Sequence, residues 1–390
     1  MTVWIIEPRD PLIFRDGRPF DAVPGVRAVS LSFPFPSTVA GAVRAREGQD
    51  TQGRFQKDSI ARVKGIPVRG PFLIELNNQA NDEGRWLVRA PSDALLFDLK
   101  SSKSKRAVAK NLVPLEVQNN TSTNLPQGLL LVGMPQPDFS KPSKNAPRYW
   151  YWEAFQRWLL EPKDQVFDLQ DLGHNGPVQE SRFHVGINPE TRTADVERGA
   201  LFQTRGLEFT RFRDESDFGT ASRLALAIET DAPNLKNGPG FLGGERRLVV
   251  WRRSNMSLPA CPTQLKRRIS KSRHCRIVLL TPAHFELGWK PTWILSEIHG
   301  VTAKLKAIAV GRPHIASGWD LHMKRPKPAR RLAPAGTVLF LELNGNDDAI
   351  ERWVDRIWMS PISDAEHDRL DGSGVAVIGV WDGKARRMEV

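Results

Sequence analysis

Short apolar runs separated by Pro, Gly and Asn dominate the chain, and most have the length of β-strands. Runs of this kind occur at 3–6, 66–76, 86–89, 95–97, 224–229, 247–251, 276–281, 307–310, 338–343 and 375–381. Apolar residues at helical spacing predict helices at 148–162 and 347–358, and a further helix begins near Ser37. This mixture predicts an α+β protein in which helices pack on one face of antiparallel sheets.

A segment that combines prolines with a basic run divides the chain into two strand-rich parts. We therefore predict an N-terminal domain at 1–254, a basic linker at 255–275 and a C-terminal domain at 276–390. Residues 100–127 are basic and then rich in Asn and Thr, which predicts a mobile insertion or a long surface loop. Two strand-like runs separated by turn residues predict a β-hairpin insertion at 181–213.

Charge distinguishes this chain from an average globular protein. Its 390 residues carry 56 Lys and Arg against 44 Asp and Glu, a formal net charge of +12, with a pI near 9.9. Such a balance favours a polyanionic partner if the cations cluster on the folded surface. The two cysteines form no CxxC pair, which argues against a zinc site or a disulfide framework. Without a membrane-length apolar run or a signal peptide, we expect a cytoplasmic protein.

A turn-rich segment near the start precedes the first helix. Arg15 and Arg18 offer forked guanidinium groups, and the backbone N–H groups at Ser37 and Thr38 would be free at a helix start. Both features suit a phosphate. The alternative is a structural turn in which Arg15 pairs with a neighbouring aspartate.

A second basic segment covers 317–336. Its prolines predict an irregular loop that follows a nucleic-acid backbone while Trp319 stacks on a base. The alternative is a solvated basic loop. The candidate contacts in this segment are Trp319, Lys324, Arg325, Lys327, Arg330 and Arg331.

Catalytic patterns are scarce. The sequence contains neither an HExxH pair nor a GxSxG elbow, and its glycine-rich segments at 238–244 and 372–374 match no nucleotide-binding fingerprint. His184, beside Arg182 in the predicted hairpin, is the histidine best placed for metal-independent RNA cleavage. A surface histidine that only forms a hydrogen bond is the simpler interpretation, so we predict no catalytic residues, no metal and no cofactor.

Five segments together resemble the RAMP superfamily, and within it the third subunit of the type III-B, or Cmr-type, CRISPR effector complexes. They are DPLIFRDGRPF from Asp10, FPFPSTVAGAVR from Phe33, HVGINPETRTADVERGALFQ from His184, GFLGGERR from Gly240, and SGWD with KRPKPARRLAPAG. The insertion at 100–127 has no counterpart in that family that we can place.

The resemblance implies two tandem ferredoxin-like (RRM-like) folds with long loop and β-hairpin insertions. It implies a non-catalytic subunit of a hetero-oligomeric complex that holds the repeat-derived 5′ handle of the crRNA. Its neighbours would be the large polymerase-like subunit and a backbone RAMP subunit, which it would bridge. Carried over to this sequence, the handle contacts fall on Arg15, Arg18, Ser37, Thr38, Arg44, Arg182, His184, Arg192 and the 324–331 segment.

Two other functions remain compatible with the sequence. One is a metal-independent endoribonuclease that processes precursor crRNA, an activity that the same superfamily includes. The other is an assembly scaffold whose cations contact no RNA.

Overall fold

The computed structural model describes residues 1–15, 30–77, 84–99, 105–116, 122–195, 201–212, 218–320 and 325–388. Strands dominate it, and antiparallel pairing dominates among the strands. The predicted α+β class is confirmed.

Strands β1 to β16 belong to the N-terminal part. They are β1 (Thr2–Pro8), β2 (Val68–Leu76), β3 (Gly84–Arg89), β4 (Ala94–Asp98), β5 (Arg106–Asn111), β6 (Val113–Glu116), β7 (Leu131–Gly133), β8 (Tyr149–Tyr151), β9 (Gln165–Asp168), β10 (Gly173–His174), β11 (Val178–Val185), β12 (Leu201–Glu208), β13 (Thr210–Phe212), β14 (Ala221–Thr230), β15 (Gly238–Phe241) and β16 (Leu248–Arg253). The main sheet has the order β10-β8-β3-β2-β14-β1-β16-β15, with β13 also paired to β14.

Strands β17 to β25 follow, and seven α-helices lie along the described chain. The strands are β17 (His274–Leu279), β18 (Ala283–His284), β19 (Thr302–Ala309), β20 (His314–Asp320), β21 (Arg325–Ala333), β22 (Val338–Asn344), β23 (Ser360–Pro361), β24 (Val375–Val380) and β25 (Arg386–Arg387). The helices are α1 (Pro36–Glu47), α2 (Ile60–Lys64), α3 (Trp152–Leu160), α4 (Leu169–Leu172), α5 (Thr263–Ser272), α6 (Asp347–Ile357) and α7 (Glu366–Leu370). A second sheet has the order β19-β22-β17-β24-β23.

Two of the predicted helices are confirmed, with small changes at their ends. Helix α6 begins after Asn346, whose side chain accepts a hydrogen bond from the Ala349 backbone N–H at 2.8 Å. Helix α3 is shorter than predicted, because its first residues form strand β8. Helix α1 begins at Pro36 with Phe35 as the N-cap residue, so Ser37 is inside the first turn rather than before it.

Three segments differ from their predictions. The described part of the 100–127 insertion contains β5 and β6; Ala107 and Ala109 of β5 are fully buried at alternate positions. The 255–275 linker contains α5, which buries Leu265 and Ile269 and leaves its basic residues outside. The 317–336 loop is largely a hairpin formed by β20 and β21. In the first two segments a short apolar repeat decides the structure despite the surrounding basic residues.

Prolines are accepted in β21 because of where they lie in the sheet. Strand β18 pairs only with Leu332 and Ala333 at the end of β21. No described strand pairs with the edge beside Pro326 and Pro328, so the missing N–H groups break no ladder on that side.

A shared core joins the two parts of the chain. Trp150 and Trp158 of the N-terminal part belong to the same buried cluster as Ile277 and Ile378 of the second sheet. The two tryptophan rings meet edge to face with centroids 5.9 Å apart. The parts are therefore packed together rather than joined by a free linker.

A buried ion pair reinforces this contact. Arg276 of β17 and Asp93, between β3 and β4, have side chains that are 1% and 0% exposed. Trp158 Nε1 donates to Asp93 at 2.9 Å, and Arg276 Nε donates to the Val380 carbonyl at 3.2 Å. A Cβ at Gly379 would lie 2.9 Å from Arg276 Nε, so only glycine leaves room for the guanidinium. Both charged side chains are thus buried, and each is hydrogen-bonded.

We predict that Asp93→Ala lowers the free energy of unfolding by about 3–5 kcal/mol, because it leaves a buried arginine unpaired. The double variant Asp93→Leu/Arg276→Met should recover most of that loss, since apolar groups replace both charges. Urea denaturation of the three proteins measures this. Equal stability of wild type and Asp93→Ala would show that the pair does not matter.

A second buried carboxylate lies on the main sheet. Burial raises the pKa of Glu75, but hydrogen bonds from His174, Tyr151 and Ser222 and the charge of Arg211 lower it more strongly. Its pKa therefore lies well below the usual range. The Arg85 guanidinium covers the Tyr151 ring at 3.6 Å, which encloses the cluster further.

This cluster predicts a specific loss of stability in acid. The pKa of an unfolded glutamate is about 4.3, so a lower native pKa stabilises the fold above about pH 5 and less as the pH falls toward the native value. Unfolding free energies at pH 7 and pH 4 should therefore differ more in wild type than in Glu75→Gln. The same pH dependence in both proteins would contradict this assignment.

Candidate nucleic-acid interface

A cavity of about 590 Å³ opens between the two parts of the chain. Its N-terminal walls come from residues 30–36, β2, β3 and Tyr149. Its C-terminal walls come from residues 280–282 and from the β20–β21 hairpin. Most of the lining is apolar or aromatic, so the cavity is suited to a flat, weakly polar group rather than to a bare anion.

The segment 30–36 is held from both sides. The Leu31 backbone N–H donates to the Phe14 carbonyl at 2.7 Å, and the Ser30 hydroxyl hydrogen-bonds the same backbone. On the other side Phe35 packs in a small cluster with Ala316 of β20 and Leu332 of β21. The segment is therefore held between Phe14 and the β20–β21 hairpin.

Aromatic rings line the cavity from both parts. The Phe33 and Tyr149 rings lie 5.7 Å apart, and the Phe35 and His314 rings lie 6.2 Å apart. The Arg89 guanidinium is 5.2 Å from the centre of the Tyr149 ring. Burial raises the pKa of Tyr149, so its phenol stays neutral. Flat rings beside an arginine are the groups on which nucleobases stack.

His314 contributes a polar edge to the same cavity. Partial burial against the cavity wall, together with the nearby charge of Arg89, lowers the pKa of His314. The ring is therefore neutral at physiological pH, where it can both donate and accept a hydrogen bond.

The outer face of strand β21 carries the free cations of this region. Arg325, Lys327 and Arg331 are exposed, and their side chains make no hydrogen bond or ion pair within the described part of the chain. Ala329 of the same strand lines the cavity. These three predicted contacts therefore lie beside the aromatic cavity.

Arg330 has a different environment from its neighbours. It donates to the buried Asp368 carboxylate at 2.5 Å, and His284 Nδ1 lies 2.8 Å from the other oxygen. The charge of Arg330 is thus matched inside the protein, where it ties β21 to α7. Lys324 and the side chain of Trp319 lie outside the described residues.

The predicted contacts near the first helix divide into two groups. Arg15 lies beside Ser30 at the cavity rim, within 3.6 Å of Glu245, while Arg18 lies outside the described residues. Ser37 and Thr38 follow the cavity-lining Pro36, but the Thr38 N–H donates to the Phe35 carbonyl at 3.0 Å and is not free. The phosphate site predicted at this helix start therefore has fewer free donors than expected.

Arg44 is used for packing. Its guanidinium pairs with Asp371 and donates to the carbonyls of Ile66 and Leu370 at 3.0 and 3.1 Å. These contacts join α1 to the end of α7 and leave the arginine 16% exposed.

The predicted hairpin forms from β11 and β12, in register from Val178–Glu208 to Val185–Leu201. Arg182 pairs with Glu180 at 2.5 Å, and His184 Nε2 lies 2.8 Å from the Thr204 hydroxyl. Arg192 is exposed in the turn. None of the three lines the cavity, so the structure does not bring this hairpin together with the β21 cations.

The glycine-rich segments have packing roles. A Cβ at Gly240 would lie 2.8 Å from Arg46 and 3.0 Å from Trp251. Gly372, with φ of +82°, lies against the Val68 carbonyl, so it also lets the two parts approach. Neither observation requires a phosphate.

Sequence reasoning missed the cavity residues Phe33, Phe35, Arg89, Tyr149 and His314. The alternation Phe33-Pro34-Phe35-Pro36 was a usable signal, because prolines hold a segment extended and place the two rings on one side. Nothing local marks Arg89 or His314.

Within the described ranges, no group of three or more His, Cys, Asp or Glu side chains is arranged to hold a metal ion. No described helix is long and apolar enough to span a membrane.

A model of the CRISPR-associated protein family Cas_Cmr3 matches residues 4–381. The chain belongs to this family. It is thus a Cmr3-type CRISPR subunit, which confirms the resemblance seen in the sequence. None of the curated proteins compared with the sequence matches it significantly.

Three solved structures give weaker similarities. Chains from type III-B Cmr-beta bound to cognate target RNA, with and without AMPPnP, share 17% and 14% identity with TM-scores of 0.43 and 0.46; both cover 87% of this chain and 86% of their own. A chain of the Csm3-Csm4 subcomplex of a type III-A complex shares 9% identity with a TM-score of 0.30, covering 89% of this chain and 94% of its own. The family assignment rests on the family model.

We predict that Arg44→Ala lowers the free energy of unfolding by about 1–3 kcal/mol, because it leaves Asp371 and two carbonyls without their donor. Arg331→Ala is the matched control: it removes an exposed arginine that has no partner among the described residues, and it should change stability by less than about 0.5 kcal/mol. Urea denaturation compares the two. Equal effects would show that Arg44 is not a structural contact.

Proposed function

We propose that this chain is a non-catalytic subunit of a type III-B CRISPR effector complex that holds the 5′ handle of the crRNA. The observation that carries the proposal is the aromatic cavity between the two parts, bordered on β21 by three exposed cations that have no partner among the described residues. Binding an RNA end requires both features, because phosphates bind cationic side chains and unstacked bases stack on aromatic rings.

Charge and position support an RNA ligand over a small anion. Arg325, Lys327 and Arg331 follow one strand, so they can neutralise successive phosphates of an extended backbone. Arg15, which forms a β-bridge with the cavity-lining Ser30 and lies 3.6 Å from the Glu245 carboxylate, adds a fourth cation near the cavity. The path of the handle would cross the cavity mouth between these groups.

The proposal includes the remaining features implied by family membership. These are two ferredoxin-like halves, and contacts to a large polymerase-like subunit and a backbone RAMP subunit that this chain would bridge. The buried core and ion pair between the halves favour a rigid bridge over a hinged one.

The direct test reverses the three exposed charges in Arg325→Glu/Lys327→Glu/Arg331→Glu. Affinity for a handle RNA should fall at least about 10-fold, and the slope of log K against log salt should become shallower by about 2, since three phosphates lose their partners. Fluorescence anisotropy at several salt concentrations measures both.

The matched control is Lys57→Glu/Lys64→Glu/Lys271→Glu, which makes the same change of charge at exposed sites near α2 and on α5, away from the cavity. It should keep the wild-type slope. If both triple variants bind RNA as wild type does, the cations serve assembly and the scaffold function replaces this proposal.

The same preparations test the absence of catalysis. Precursor crRNA should remain uncleaved by the wild type, and His184→Ala should bind RNA equally well, because His184 lies 2.8 Å from a threonine hydroxyl across the hairpin and does not line the cavity. Cleavage by wild type that His184→Ala abolishes, with binding intact, would establish the endoribonuclease alternative.

A further inference from the structure

We infer that the cavity between the two parts is a pocket for one nucleobase of the handle, turned out of the stack. This inference rests on the proposed function, because it names what the same site takes from the RNA. The pocket would bind the base while the β21 cations bind the flanking phosphates.

The lining of the cavity disfavours a charged occupant such as a phosphate. Prolines, leucines and aromatic rings form most of the wall, and a phosphate placed among them would lose its hydration without gaining a full set of donors. A nucleobase has the opposite requirement, because its faces are apolar and its edges are polar. The volume of about 590 Å³ lies in the range of ligand pockets and is large enough for a nucleobase.

Polar groups are few and are placed at the edge. Arg89 and the neutral His314 supply donors and one acceptor, while the rings of Phe33, Phe35 and Tyr149 supply apolar faces. This combination is the one by which single-stranded RNA is recognised: stacking on a ring and hydrogen bonding along a base edge.

Both parts of the chain contribute walls, so a bound base would contact both. Phe33 and Tyr149 come from the N-terminal part, and His314 and Ala329 come from the β20–β21 hairpin. The hairpin is itself held by the Arg330–Asp368 pair, so the pocket is formed before RNA arrives.

The test combines an abasic scan of the handle with a variant that fills the pocket. Each handle nucleotide in turn is replaced by an abasic one, and affinity is measured for wild type and Ala329→Phe. For wild type, an abasic nucleotide at one position should lower the affinity about 10-fold, which is the size of one base–aromatic stacking contact. The Ala329→Phe variant should bind the intact RNA with similarly reduced affinity. An abasic nucleotide at that position should not weaken its binding further.

The control Ala260→Phe places the same ring at an exposed alanine that lies outside the cavity and should keep the wild-type scan. If Ala329→Phe does not fold, His314→Ala gives the same readout through the pocket edge. A flat abasic scan with handle binding intact overturns the pocket and leaves the proposed function standing. Failure of wild type to bind the handle overturns both.

One further result would show that the cavity binds a protein side chain and not a nucleobase. If Ala329→Phe leaves handle binding unchanged but weakens association with another subunit of the complex, the pocket receives a protein side chain. The inference would then be wrong.

Discussion

The ion pair between Asp93 and Arg276 determines how the two parts of this chain sit against each other. It is fully buried, it is satisfied on every side by Trp158 and backbone carbonyls, and it requires glycine at position 379. A buried pair of this kind tolerates little displacement, because either charge alone would be costly. The cavity has walls from both parts, so its shape depends on this contact.

Net charge is a poor guide to the binding surface of this protein. Several of its arginines are used internally: Arg276 in the core, Arg44 between α1 and α7, and Arg330 on Asp368. What distinguishes β21 is that Arg325, Lys327 and Arg331 are exposed beside an apolar cavity and have no partner in the described part of the chain. Function follows from which cations are left unpaired, and only the folded chain shows this.

The sequence was informative where apolar periodicity was strong. Helix α6 follows directly from Ile350, Val354 and Ile357, and the second sheet follows from its apolar runs. The sequence was misleading in the 317–336 segment. Pro326 and Pro328 indicated a loop there, but an edge strand can contain prolines. The cavity could not be predicted, because Phe33, Tyr149 and His314 come from distant parts of the chain and meet only after both sheets have packed.

The central claim is that the leading nucleotides of the guide rest between the two parts of this chain. Crosslinking the assembled ribonucleoprotein at the 5′ handle and mapping the attached peptides tests it most directly. We expect crosslinks within 30–36, 313–320 and 325–333. Crosslinks confined to other subunits, or to the β11–β12 hairpin of this one, would contradict it.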